Sequence, residues 1–134
     1  MSLIHALVAD DEPHIGRIIK MKLERGPFRV TLAYDGREAL AALHTSPDIR
    51  IVLLDLMMPI MTGLDVLAAM RARDEWKDIP CIILTAASQE QQYRTAMSLG
   101  ANDFLTKPFS PKRLYARMAE LVGVPTDEGA PSDG

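Results

Sequence analysis

Four places in this chain put a polar side chain directly after an apolar run. Asp10, Asp11 and Glu12 follow Leu3–Ala9, and Asp55 closes Ile51–Leu54. Thr85 follows Ile79–Leu84, and Lys107 follows Asp103–Thr106. If the runs are strands of one sheet, these residues share a rim. Carboxylates gathered there disfavour joint ionisation unless a cation offsets them. A hard divalent ion with oxygen ligands resolves the conflict, and Mg²⁺ suits a site with one or two carboxylates, retained waters and phosphate oxygens. Lys107 adds a movable point charge fit for a phosphoryl group, and Thr85 a hydroxyl that can donate to one. The chemistry implied is phosphoryl transfer onto a carboxylate, with aspartate as nucleophile and the surrounding charges neutralising the equatorial oxygens.

Each residue taken singly has a plainer reading. Asp10-Asp11-Glu12 is then an acidic helix-capping turn, Asp55 a solvated strand end, Thr85 a strand former and Lys107 a surface lysine. The chemical reading rests on four strand ends whose side chains complement one another.

The elements that must position them read as alternating β and α. Five short apolar runs rich in β-branched residues (Leu3–Ala9, Phe28–Ala33, Ile51–Leu54, Ile79–Leu84 and Asp103–Thr106) match strands buried on both faces. Helical spacing follows each run. Ile15, Ile18, Ile19 and Leu23 recur after Pro13, with Asp11-Glu12 placed to cap and charge that helix and Gly26-Pro27 to end it. Gly36–Leu43, Gly63–Ala72, Ser88–Leu99 and Pro111–Val122 supply the others, with Gly100 as a helix-ending glycine. Strict alternation predicts an open parallel sheet with helices on both faces. Ligands of such sheets bind beyond the carboxyl ends of the strands.

The totals bound the answer. At 134 residues, with 48% hydrophobic and 25% charged, the chain is one ordinary globular domain. A net charge of -3 without a basic block gives no footprint for nucleic acid, so no direct nucleic-acid binding by this domain is expected. One cysteine, Cys81, fits a reducing cytoplasm, and no run is long enough to span a membrane. Residues 123–134, rich in Gly, Pro, Asp and Ser, read as a disordered tail or the start of a linker. His5, His14 and His44 lack a second ligand at metal spacing, and the eight methionines read as gap-fillers. Trp76 is expected to pack on the loop before the fourth strand, and Tyr93 and Tyr115 to lie near a common face.

Four motifs together resemble the response-regulator receiver domains of two-component signalling over roughly residues 3–122. They are Val8-Ala9-Asp10-Asp11-Glu12-Pro13, Leu53-Leu54-Asp55-Leu56-Met57-Met58-Pro59 with Gly63, Leu84-Thr85-Ala86, and Asp103-Phe104-Leu105-Thr106-Lys107-Pro108-Phe109. The resemblance implies a flavodoxin-like doubly wound (βα)5 fold with strand order 2-1-3-4-5, the order known for the chemotaxis member of the family. It implies Asp55 as phosphoacceptor, and Asp11, Asp55 and the backbone carbonyl of Met57 as ligands of Mg²⁺ (with Mn²⁺ as a substitute). Asp10 would hold the metal through water. Thr85 and Lys107 would bind the phosphoryl group, Phe104 would be the aromatic switch, and the Lys107–Pro108 bond would be cis.

The implied partners are a sensor histidine kinase or histidine phosphotransfer protein, and an output domain or effector met by the face of the fourth helix, fifth strand and fifth helix. Phosphorylation-dependent homodimerisation is a further implied outcome. The chain would assist its own phosphorylation without being a multiple-turnover enzyme. Thr62 stands where the family often has Asp, and Phe104 lacks the hydroxyl of the commoner tyrosine. Met57 and Ala87 flank the site and cannot orient an attacking water, so slow self-dephosphorylation is expected.

Three rivals share parts of the pattern. An unphosphorylated interaction module of the same fold would lack a site residue, and none is missing. A haloacid-dehalogenase-like phosphatase needs a second acid two residues after its nucleophile, where this chain has Met57. A flavin-binding relative needs an anion cradle where this chain has Asp10-Asp11-Glu12.

Overall fold

The computed structural model describes residues 3–86 and 90–124. Ala87 and the segment 125–134, which carry two of the expectations above, lie outside the described residues. The elements run β1 (Ile4–Ala9), α1 (Pro13–Leu23), β2 (Phe28–Ala33), α2 (Gly36–Thr45), β3 (Ile49–Asp55), α3 (Gly63–Ala72), β4 (Cys81–Thr85), α4 (Glu90–Ser98), β5 (Asp103–Thr106) and α5 (Pro111–Val122). All five strands are parallel, in the order β2-β1-β3-β4-β5.

The pleat sends alternate strand residues to opposite faces. Ala6 and Val8, Ile51 and Leu53, and Ile82 and Leu84 meet α1 and α5 through Ile19, Leu23, Leu114 and Met118. Leu7 and Ala9, Val52 and Leu54, and Cys81 and Ile83 meet α2, α3 and α4 through Ala39, Leu43, Val66, Leu67 and Ala96. Both faces are covered, which is why the central runs are apolar without interruption. Burial pushes the Cys81 thiol up to about 12, so it behaves as a small core hydrophobe.

Two strand starts lie two residues from the sequence pattern. β3 begins at Ile49 because Arg50, which breaks the apolar run, points outward and donates to the Val122 carbonyl at 3.4 Å. β4 begins at Cys81 because Ile79 still belongs to a turn closed on the Trp76 carbonyl (3.1 Å).

The helix ends follow local chemistry. Thr62 forms a capping box with Asp65: Thr62 Oγ1 accepts from the Asp65 amide at 3.2 Å, and Asp65 Oδ2 from the Thr62 amide at 3.0 Å. At α1 the expected acidic cap is not made. Pro13 occupies the first turn, and N-cap Glu12 makes no side-chain cap bond, because its carboxylate is drawn to Lys107 instead.

Gly100 has φ +102, a left-handed conformation that favours glycine. Its carbonyl accepts from Arg71 Nε (3.1 Å) and Nη2 (2.9 Å), while Arg71 Nη1 donates to the Ile79 carbonyl (2.9 Å). Arg71 on α3 thereby fastens the turn that ends α4. Trp76 is buried against the core beside the α3–β4 turn, edge-on to His44 at 4.8 Å. Tyr115 departs from the expectation of a shared face with Tyr93. It is buried between α5 and α1, edge-on to Phe28 at 5.7 Å, whereas Tyr93 is exposed on α4.

Candidate functional site

The parallel registers set the rim. Ala9 pairs with Leu54, Asp55 with Leu84, and Thr85 with Thr106, so the ends of β1, β3, β4 and β5 fall level. Asp10 is held just past β1 by its amide bond to the Ala33 carbonyl (3.0 Å), and its Oδ1 accepts from the Glu12 amide at 2.9 Å. The Lys107 amide bonds the Thr85 carbonyl at 2.7 Å, which binds the ends of β4 and β5 together. Gly63 permits the return of the chain under Asp55. A Cβ there would lie 2.5 Å from the Asp55 carbonyl oxygen.

Asp10, Asp11 and Asp55 each present an oxygen, and these lie within 4.8 Å of one another. The Lys107 ammonium lies 2.9 Å from Glu12 Oε1, 3.1 Å from Asp10 Oδ2 and 3.5 Å from Asp55 Oδ2. Asp10, Asp55 and Thr85 are buried polar residues, while Asp11 is exposed. Burial first, and the field of Asp10 second, push the Asp55 carboxyl up to about 7, against the opposing pull of Lys107 and the Met57 amide. Burial disfavours the charge on Lys107, but Glu12, Asp55 and Asp10 together outweigh it and hold the ammonium above its ordinary range. The Lys107 hydrogen bond and charge hold Glu12 below the ordinary carboxylate range.

The donor set fits a hard divalent ion. Three carboxylate oxygens converge, and they carry more negative charge than the single Lys107 ammonium, 3.1 Å from Asp10 Oδ2, can offset.

The loop after β3 is tight. The Met57 amide approaches Asp55 Oδ1 at 3.4 Å, and the Met61 amide bonds the Pro59 carbonyl at 2.7 Å across Ile60, whose φ is 71. A β-branched residue at positive φ is strained backbone, and such strain clusters at functional loops. Met57 and Ile60 are exposed, at 63% and 66%. The Lys107–Pro108 bond is cis.

Of the residues singled out by sequence, Asp10, Asp11, Asp55 and Lys107 converge, and Thr85 ends β4 at the same rim. Phe104 lies three residues before Lys107, with its ring edge-on to Tyr93 at 5.5 Å. The sequence reading missed the Glu12–Lys107 bond and the Tyr93–Phe104 contact. Glu12 stood in plain view beside the two aspartates, but its type also suits a helix start.

A parallel sheet of this order, with an acidic rim and a lysine just past the last strand, is a flavodoxin-like α/β domain. The chain belongs to the response regulator receiver domain family, whose sequence profile it matches over residues 6–119. It is 42% identical over 120 residues to the response regulator SaeR of Staphylococcus epidermidis, and 40% identical to SaeR of Staphylococcus aureus. Each alignment takes 90% of this chain and 51% of the relative, so the chain spans about half the length of these curated relatives. Among solved structures, the Francisella response regulator 1452 receiver domain is 34% identical with a TM-score of 0.83, covering 90% of this chain and 97% of that one. The chemotaxis response regulator CheY4 of Vibrio cholerae is 28% identical with a TM-score of 0.83, covering 90% and 99%. Among the described residues, no helix is long and apolar enough to cross a membrane.

Proposed function

We propose that Asp55 accepts a phosphoryl group from a phosphohistidine on a sensor histidine kinase or histidine phosphotransfer protein. The observation that carries this reading is the meeting of Asp10, Asp11 and Asp55 with Lys107 at one rim of the sheet. A carboxylate oxygen of Asp55 attacks phosphorus in line as the P–N bond breaks, and the imidazole leaves with the electron pair and takes up a proton. In this reading Lys107, 3.5 Å from Asp55 Oδ2, follows the new dianion, and Thr85 donates its hydroxyl to it. Mg²⁺, or Mn²⁺ in its place, would be held by Asp11, Asp55 and the Met57 carbonyl, with Asp10 acting through water, and would neutralise the rim and the transferring oxygens.

Movement of Thr85 toward the phosphoryl group opens space for Phe104 to turn inward, breaking its contact with Tyr93 and repacking the α4-β5-α5 face toward an output domain or effector. Met57 offers no group to orient water, so the acyl phosphate is long-lived, and the domain turns over no external substrate. Exposed Ile18 and Met21 on α1, with Met57 and Ile60 beside the rim, support docking of the phosphodonor through an apolar surface. Residues 1–122 are assigned to this domain, in the cytoplasm beside its kinase; at their end Gly123 caps α5 and the Val124 amide bonds the Ala119 carbonyl at 2.9 Å.

Asp55→Asn tests the reading. Incubated with a small phosphodonor and Mg²⁺, the native protein gains the mass of one phosphoryl group and the variant gains none. Normal labelling of the variant sinks the assignment.

A further inference from the structure

Lys107 does not rest on the residue it is meant to serve. Its shortest bond runs to Glu12 at 2.9 Å, while Asp55 stands 3.5 Å away. The backbone of Glu12 is fixed on both sides: its amide donates to Asp10 Oδ1 at 2.9 Å, and its carbonyl accepts from Ile15 (3.0 Å) and Gly16 (3.2 Å) at the start of α1. Only the side chain is free to choose a partner. An N-cap side chain would ordinarily turn back onto the helix amides, and this one does not. It reaches across to the far strand, 95 residues away in sequence, and stays half exposed there with 50% of its side-chain surface open.

Lys107 thus has three anions within reach: Glu12 on the solvent side of the rim, buried Asp10 at 3.1 Å, and Asp55, the farthest, at the phosphorylation point. We propose that Glu12 is a positioning residue that parks the Lys107 ammonium off Asp55, so that loading of Asp55 must strip the lysine from Glu12. The inference rests on the phosphoacceptor reading and adds a resistance to activation set by one side chain. The Glu12–Lys107 bond opposes loading by roughly the worth of a half-exposed ion pair.

The test uses trifluoroberyllate, a mimic of the acyl phosphate, with Mg²⁺, followed by ¹⁹F NMR and calorimetry. Glu12→Gln removes the charge. Glu12→Asp keeps the charge but falls about 1.5 Å short of the lysine. Both variants should bind trifluoroberyllate about fourfold more tightly than the native chain, with Mg²⁺ affinity measured alone changed by less than about twofold. An unchanged thermal midpoint excludes a merely structural effect.

Tightening in Glu12→Gln but not in Glu12→Asp overturns the proposal in favour of a through-space charge effect. Equal or weaker binding in both variants overturns it outright. If the native chain itself takes up no trifluoroberyllate with Mg²⁺, the phosphoacceptor reading fails with it, which separates the two failures.

Discussion

At the carboxyl ends of the strands, Asp10, Asp11, Glu12 and Asp55 gather around a single ammonium, Lys107. At the amino ends, Asp48 serves both Arg29 and His5. Its Oδ2 accepts from Arg29 Nη2 at 2.6 Å, and its Oδ1 lies 2.9 Å from His5 Nδ1. The Thr31 hydroxyl lies 2.7 Å from the other ring nitrogen, so buried His5 has a partner at each end of its ring. The two regions use the same kinds of side chain on the same sheet. One closes on itself, and the other is left with more negative charge than its lysine can answer. Satisfied polar groups under a helix are architecture, whereas a surplus of one sign at a strand rim is a demand for ligands.

Four measurements bear on that contrast, taken from the largest expected effect downward. His5→Ala removes a buried ring and both of its contacts. It should cost about 3 kcal/mol in denaturant unfolding while leaving phosphoryl labelling intact. A large loss of labelling with the fold preserved would join the two ends and break the comparison. Lys107→Met takes away the rim's only ammonium among the described residues. It should slow labelling by about 10- to 100-fold, the worth of a charge-assisted hydrogen bond, as seen in single-turnover mass spectrometry.

The third measurement is a pH series without metal. Because the folded Asp55 carboxyl is raised to about 7, its contribution to stability is fully present below its unfolded value of about 3.9. That contribution is lost as pH rises through about 7. Asp55→Asn lacks this loss. It should therefore gain on the native chain as pH rises from about pH 4 to pH 8, and added Mg²⁺ should shrink the gap. The smallest effect belongs to Met57→Asn, which supplies a water-orienting amide and should shorten the acyl-phosphate lifetime severalfold in a chase of labelled protein.

The alternating sheet was legible because the central strands are largely apolar runs and the helices return at a spacing of three and four, whereas the strand order came only with the family resemblance. The convergence of Asp10, Asp11, Asp55 and Lys107 was legible for a related reason: parallel strands of nearly equal length bring their carboxyl ends to one level. Contacts that depend on where a single side chain turns were less readable. Glu12 could serve a helix or a lysine, and only three-dimensional reach decides between them. Tyr115 sits next to Leu114 in the inward stripe of α5, which burial decides and residue type does not. The His5 cluster joins the starts of three strands, with partners 26 and 43 residues away that no local pattern reveals.

The Arg71 clasp has a mechanical consequence. α4 is a short rod whose trailing end is riveted to α3 and to the β4 entrance through the carbonyls of Gly100 and Ile79. A rod pinned at one end swings rather than slides. A displacement of α4 would therefore be largest toward its leading turn, where Tyr93 leans on Phe104, and smallest at the rivet. The same guanidinium that ties α3 to the end of α4 would be the pivot of such a swing.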